Sequence, residues 1–193
     1  GVFLRGGYLD RASANLSPFD TSRDGALLFY AALEFRFAIE RFLFAYLTRV
    51  NGDIGKTQEK LYEAGKLKAA ILRAEPEFVK KLEFTNLCVK AIGHHLTIPI
   101  PDLDELDRLY GRLGRYLHAI KRPGETLQSH KWWTDLENLL REIEGVLAPV
   151  ASQPIAGFSL NDAGLALFKD FTAGKKTEEE VKACFVEGII DAA

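Results

Sequence analysis

With 193 residues, the chain is long enough for one domain with a sizeable core and a small appendage. Its 25 Lys and Arg stand against 27 Asp and Glu, a net charge of -2 that argues against broad, sequence-independent binding of nucleic acid and leaves room for a local basic patch. The two cysteines, Cys88 and Cys184, lie far apart without CxxC or Cys/His ligand spacing, so neither a disulfide framework nor a zinc site is expected, no cofactor is implied, and a reducing cytoplasm is the default compartment.

The first 20 residues read as turn-like, ending in "SPFDTSRDG", where Ser22 or Asp24 is placed to cap a long helix. The chain opens at Gly1 and holds no methionine, which points to a start that is missing or trimmed; no secretory signal precedes the first helix. That helix runs from about residue 24 to Val50 and is stopped by "NGDIG". Its apolar residues occupy nearly every face, the mark of a buried central element. Charges interrupt it at Glu34, Arg36, Glu40 and Arg41, too often for a membrane span. At 100° per residue Glu34 and Arg41 share one line, and Arg36 and Glu40 share another roughly opposite. Leu33, Phe35, Phe37, Ile39, Phe42 and Phe44 fall between these seams, and Arg36 and Glu40, four apart, are positioned to pair.

A second helix is expected from Lys56 or Thr57 to Ala74, and a third from Pro76 to about Ile92, since proline suits a first helical turn. "GHHLTIPIPD" then forces extended backbone through two prolines. The fourth helix begins near Asp102 and ends before Pro123, with Leu103, Leu106, Tyr110, Leu113, Leu117 and Ile120 in the 3-4 spacing of a bundle seam. The fifth, about Ser129 to Leu147, repeats the pattern with Trp132, Trp133, Leu136, Leu139, Leu140, Ile143 and Leu147. The reading is all-α: an up-and-down bundle of about five helices over residues 1–147, a linker over 148–158, and a helical tail over 159–193. The tail holds two short helices, the second opened by a Thr177-x-x-Glu180 capping box, and is expected to dock on the bundle or on a partner chain.

The stretch "YGRLGRYLHAIKRP" (110–123) carries the strongest chemical signal. Acids crowd the start of the fourth helix (Asp102, Asp104, Glu105, Asp107) and bases its end (Arg108, Arg112, Arg115, Lys121, Arg122), the distribution that complements a helix dipole. Gly111 and Gly114 each cost about 1 kcal/mol relative to alanine in a helix interior. They share a lane with His118 beside the apolar seam, where missing side chains allow a backbone or ligand to come close. Elsewhere the signals are weak. His94 and His95 lack a metal-ligand partner three or four residues on; His130, Trp132 and Trp133 suit a core or interface better than a base-stacking platform; and Gly55-Lys56-Thr57 lacks phosphate-loop spacing.

The long helix "AALEFRFAIERFLF" followed by the Arg-x5-His run "RLGRYLH" in a helical bundle resembles the HEPN superfamily. The resemblance covers roughly residues 24–147. It implies metal-independent RNA cleavage of toxin or defence type at a dimer cleft. Arg112 would stabilise the scissile phosphate and His118 would act in acid–base chemistry on the ribose 2′-hydroxyl, supported by Arg115, Arg36 or Glu40. A guanidinium matches phosphate oxygens and an imidazole titrates near neutrality, so the residue types suit that chemistry. Leu113, straight after Arg112, belongs instead to the apolar seam. The competing reading is a non-catalytic bundle that dimerises or binds a protein partner.

Overall fold

The computed structural model describes residues 7–22, 24–51, 63–93, 95, 97–119, 130–151 and 160–186. Over these residues it is all-α. Eight helices, and no strand, occur among them: α1 (Tyr8–Ser22), α2 (Gly25–Asn51), α3 (Ala64–Ala74), α4 (Phe78–Ala91), α5 (Leu103–Ala119), α6 (His130–Ala151), α7 (Asp162–Thr172) and α8 (Glu178–Val186). Among the described residues no helix is long and apolar enough to cross a membrane.

The first helix corrects the turn-like reading. Leu9, Ala12, Leu16 and Phe19 recur at helical spacing and are all buried, which gives α1 an apolar seam that outweighs the turn-forming residues and an internal Pro18. Asp24 follows, and its Oδ1 accepts from the Ala26 N–H at 2.9 Å, opening α2 with an N-cap. The helices pair antiparallel: Tyr8 meets Phe37 (ring centroids 5.3 Å apart) and Arg11 meets Glu34 (2.9 Å).

α2 packs against α1, α3, α5 and α6. Its buried residues include Leu28, Phe35, Ile39, Phe42, Leu43 and Leu47. It is not covered all round, however. Leu33 and Phe37, expected between packed seams, are 41% and 42% exposed, and Tyr30 is 60% exposed. α3 starts at Ala64, where Glu63 holds extended backbone (φ -86°, ψ 131°); the expected start at residue 56 or 57 lies among residues 52–62, outside the described set.

Two side chains fix the extended "IPIP" segment. Asn86 donates to the Ile98 carbonyl at 2.8 Å and accepts from its N–H at 2.7 Å, as a neighbouring strand would. Tyr46, buried between the edges of Phe42 and Phe78, donates to the Pro99 carbonyl at 2.7 Å. Burial pushes the Tyr46 phenol well above its usual range.

α6 runs on to Ala151 through Pro149, so the first four residues of the expected linker are helical. α7 and α8 pack on α4 around a small second core of Phe84, Leu167, Phe168 and Val181. The capping box forms as expected: Glu180 accepts from the Thr177 N–H at 2.7 Å, and Thr177 Oγ1 accepts from the Glu180 N–H at 3.3 Å. Cys88 and Cys184 are free thiols packed against this core, and burial pushes the Cys88 thiol up to about 12, away from nucleophilic chemistry.

Candidate functional site

α5 places every residue of the Arg-x5-His run. It is uninterrupted from Leu103 to Ala119, with Leu103, Leu106, Leu109 and Leu113 buried. Six residues along such a helix give about 9 Å of rise and about 120° of rotation. Arg112 and His118 therefore leave the helix on different sides.

Arg112 turns toward α6. Its Nη1 donates to Glu142 Oε2 at 2.6 Å, and Arg108 Nη2 donates to Glu142 Oε1 at 2.6 Å. Arg108 also bonds Glu105, one turn back on α5. Hydrogen bonds from Arg108 and then Arg112 hold the Glu142 carboxyl below its ordinary value, and Arg108 does the same for Glu105. The antiparallel α5/α6 pair is closed further along by Tyr116, whose ring lies 5.3 Å from Trp132. Glu142 was invisible as a site residue in the sequence, because a glutamate on an exposed helix face carries no local signal of a partner 30 residues away.

Arg36 and Glu40 pair as their spacing predicts, Nε to Oε1 at 3.2 Å, with 26% and 13% side-chain exposure. The unexpected third member is Tyr110. Its hydroxyl donates to the same Glu40 oxygen at 2.6 Å, and the Arg36 guanidinium lies 4.9 Å from its ring centroid. Burial, and then the Glu40 hydrogen bond, raise the Tyr110 phenol. This cluster ties α2 to α5 and sets their register: Arg36 and Glu40 stand beside Tyr110, and Tyr46 beside Pro99. Going the other way, Phe29 and Tyr116 both meet Trp132, so the turns holding Tyr30 to Phe37 run alongside those holding Gly111 to His118.

That second side of α5 is open. A Cβ added at Gly111 or at Gly114 meets nothing within 4 Å. Arg115 and His118 are exposed, and no hydrogen bond or ion pair reaches either among the described residues. By the register above, the α5 turns that hold the glycines run alongside the α2 turns that carry the exposed Tyr30, Leu33 and Phe37. On the far flank of α2, Glu34 Oε1 takes Arg11, while its Oε2 is buried without a hydrogen bond among the described residues.

The aromatic group at the start of α6 belongs to the core. Trp132 is 8% exposed and Trp133 stacks edge-on against it at 4.8 Å, with Phe29 touching both. Trp133 sits so close over Gly25 that an added Cβ would come 2.5 Å from its ring. His95 is exposed; His94, Gly55-Lys56-Thr57, Ile120, Lys121, Arg122 and Pro123 lie outside the described residues. Among the described residues no group of three His, Cys, Asp or Glu is arranged to hold a metal.

No family model, curated protein or solved structure matches the chain.

Proposed function

We propose that the chain is a cytoplasmic helical-bundle interaction module, without catalysis of its own, that works by binding another protein across the face shared by α2 and α5. Its frame is an up-and-down bundle to which α7 and α8 attach through α4. The observation that carries this reading is the uncovered stripe of Tyr30, Leu33 and Phe37 on an otherwise core-forming helix. Scattered single apolar residues on a surface are ordinary; three on one line are the sign of a contact surface. The Arg112–Glu142 bond supports it too, since a guanidinium held by a carboxylate and turned from the histidine is poorly placed to share a phosphate with it.

One observation favours the HEPN-like reading, an RNA-directed module with metal-independent endoribonuclease activity. Arg115 and His118 stand exposed, without partners among the described residues, three residues apart on one side of α5. In that reading Arg112 leaves Glu142 to meet a partner copy's histidine across a homodimer cleft.

RNA cleavage in chelator separates the two. For an interaction module, wild type, Arg112→Ala and His118→Ala all stay at the no-protein background. Measurable wild-type cleavage that either substitution abolishes would overturn the interaction reading.

A further inference from the structure

The exposed apolar residues outside α2 are dispersed: Leu72 on α3, Val79 on α4, and Ile92 and Ile100 in connections. Tyr30, Leu33 and Phe37 differ in sharing one line, at i, i+3 and i+7. On the neighbouring turns of α5, a Cβ added at Gly111 or Gly114 would meet nothing within 4 Å among the described residues. Among the described residues no side chain fills the space beside those glycines, so nothing among them offsets their cost to α5. A ridge of apolar side chains next to a glycine trough, between two antiparallel helices, is the shape into which a third helix seats its own apolar edge.

The charge around this surface points to what that helix carries. Arg41 continues the α2 line one turn past Phe37, and Arg115 and His118 border the trough on α5; all three are exposed. No ion pair reaches any of them among the described residues, whereas Arg11, Arg36, Lys68, Arg108 and Arg112 on the same helices or their neighbours are each paired with a carboxylate. A second copy is a poor occupant. About a two-fold axis across the helices it sets α5 over α5, and so Arg115 and His118 against their own counterparts; about an axis along them it lays those cations over the apolar Tyr30, Leu33 and Phe37 line.

We infer that the α2/α5 face receives an amphipathic helix of a different protein, one with carboxylates flanking its apolar edge. The inference rests on the interaction-module reading and adds the partner's chemistry to it. Leucine or phenylalanine anchors at helical spacing lie against Tyr30, Leu33 and Phe37; the partner backbone fills the trough over Gly111 and Gly114; its acids meet Arg41, Arg115 and His118.

The test uses two synthetic helical peptides of about 18 residues, five turns, with the same leucine edge. One has glutamate on both flanks and the other lysine. Binding to the full chain is read by fluorescence anisotropy. The glutamate peptide is expected to bind about tenfold tighter than the lysine peptide, the scale of a few exposed ion pairs. Raising the salt to about 1 M should erase that preference. The double variant Arg41→Glu, Arg115→Glu, confined to exposed positions, should reverse it, and Phe37→Ser should weaken both peptides with the helical circular dichroism unchanged. Equal binding of the two peptides, still lost in Phe37→Ser, would overturn the acidic partner and leave the interaction module standing. Binding of neither peptide, or binding indifferent to Phe37→Ser, would sink both. Sedimentation showing a wild-type dimer that Phe37→Ser disperses would give the face to a second copy, and competition by a single-stranded RNA would give it to nucleic acid; either result overturns the inference.

Discussion

The two long sides of α5 both carry basic residues and behave in opposite ways. Toward α6, Arg108 and Arg112 share the Glu142 carboxylate, and Tyr116 closes on Trp132. Toward the α2 stripe, Arg115 and His118 have no such carboxylate among the described residues, and a Cβ added at Gly111 or Gly114 would meet nothing within 4 Å. Cations at a helix C-terminus are favourable on either side through the dipole alone. Helix polarity therefore explains why the bases are on α5 but not why one set is paired and the other left open. The difference teaches that composition at a helix end is a poor guide to function. Whether the surrounding helices supply counter-charges is the informative feature.

Five substitutions sharpen that contrast, in order of size. On α2, Phe35→Ala removes a side chain with no exposure and is expected to cost about 3–5 kcal/mol in denaturant unfolding, the range for emptying a buried phenylalanine site. Phe37→Ala, two residues on and 42% exposed, should cost far less, its ring contact with Tyr8 being part of what is lost. A comparable loss from both would mean the stripe is core and not surface. On α5, Gly111→Ala and Gly114→Ala should each raise stability by about 0.5–1 kcal/mol, because the space is open and alanine is the better helix former. A destabilised variant would reveal a close neighbour there. The smallest effect belongs to the closed side. Glu142→Gln should lower stability at neutral pH by less than about 1 kcal/mol, since the pairs it breaks are solvent-screened. The pH dependence has a definite sign. With the folded carboxyl depressed, the unfolded chain binds the proton first, so the Glu142 contribution is complete above the ordinary carboxylate value of 4.5 and fades as pH falls below it. The wild-type advantage over Glu142→Gln should shrink across that acid window, and an advantage unchanged down to pH 3 would show that the pairs do not form.

The all-α class, the central place of α2, the Arg36–Glu40 pair and the Thr177 capping box were legible because each is a local pattern within one helix. α1 was hidden: Pro18 and a run of Ser, Asp and Gly imitate a turn, while its seam of Leu9, Ala12, Leu16 and Phe19 is sparse. The uncovered stripe was hidden for the opposite reason. In a helix apolar all round, periodicity cannot tell which side the neighbours leave bare. Tyr110 and Glu142 were missed as partners because the contacts that define them cross 70 and 30 residues of sequence. The glycines could be singled out from sequence alone, since their cost in a helix is intrinsic; that the space beside them is open could not.

α4 carries a further consequence. Phe78 and Leu82 belong to the main core and Phe84 to the small core under α7 and α8. A single helix thus transmits order between two hydrophobic centres. The small core is too slight to hold α7 and α8 by itself. Hydrogen exchange is therefore expected to show α7 and α8 opening at a lower free energy than the main core. The reverse does not hold. Opening the main core releases α4, and α7 and α8 lose their platform with it, so the hierarchy of cooperativity runs one way along the chain.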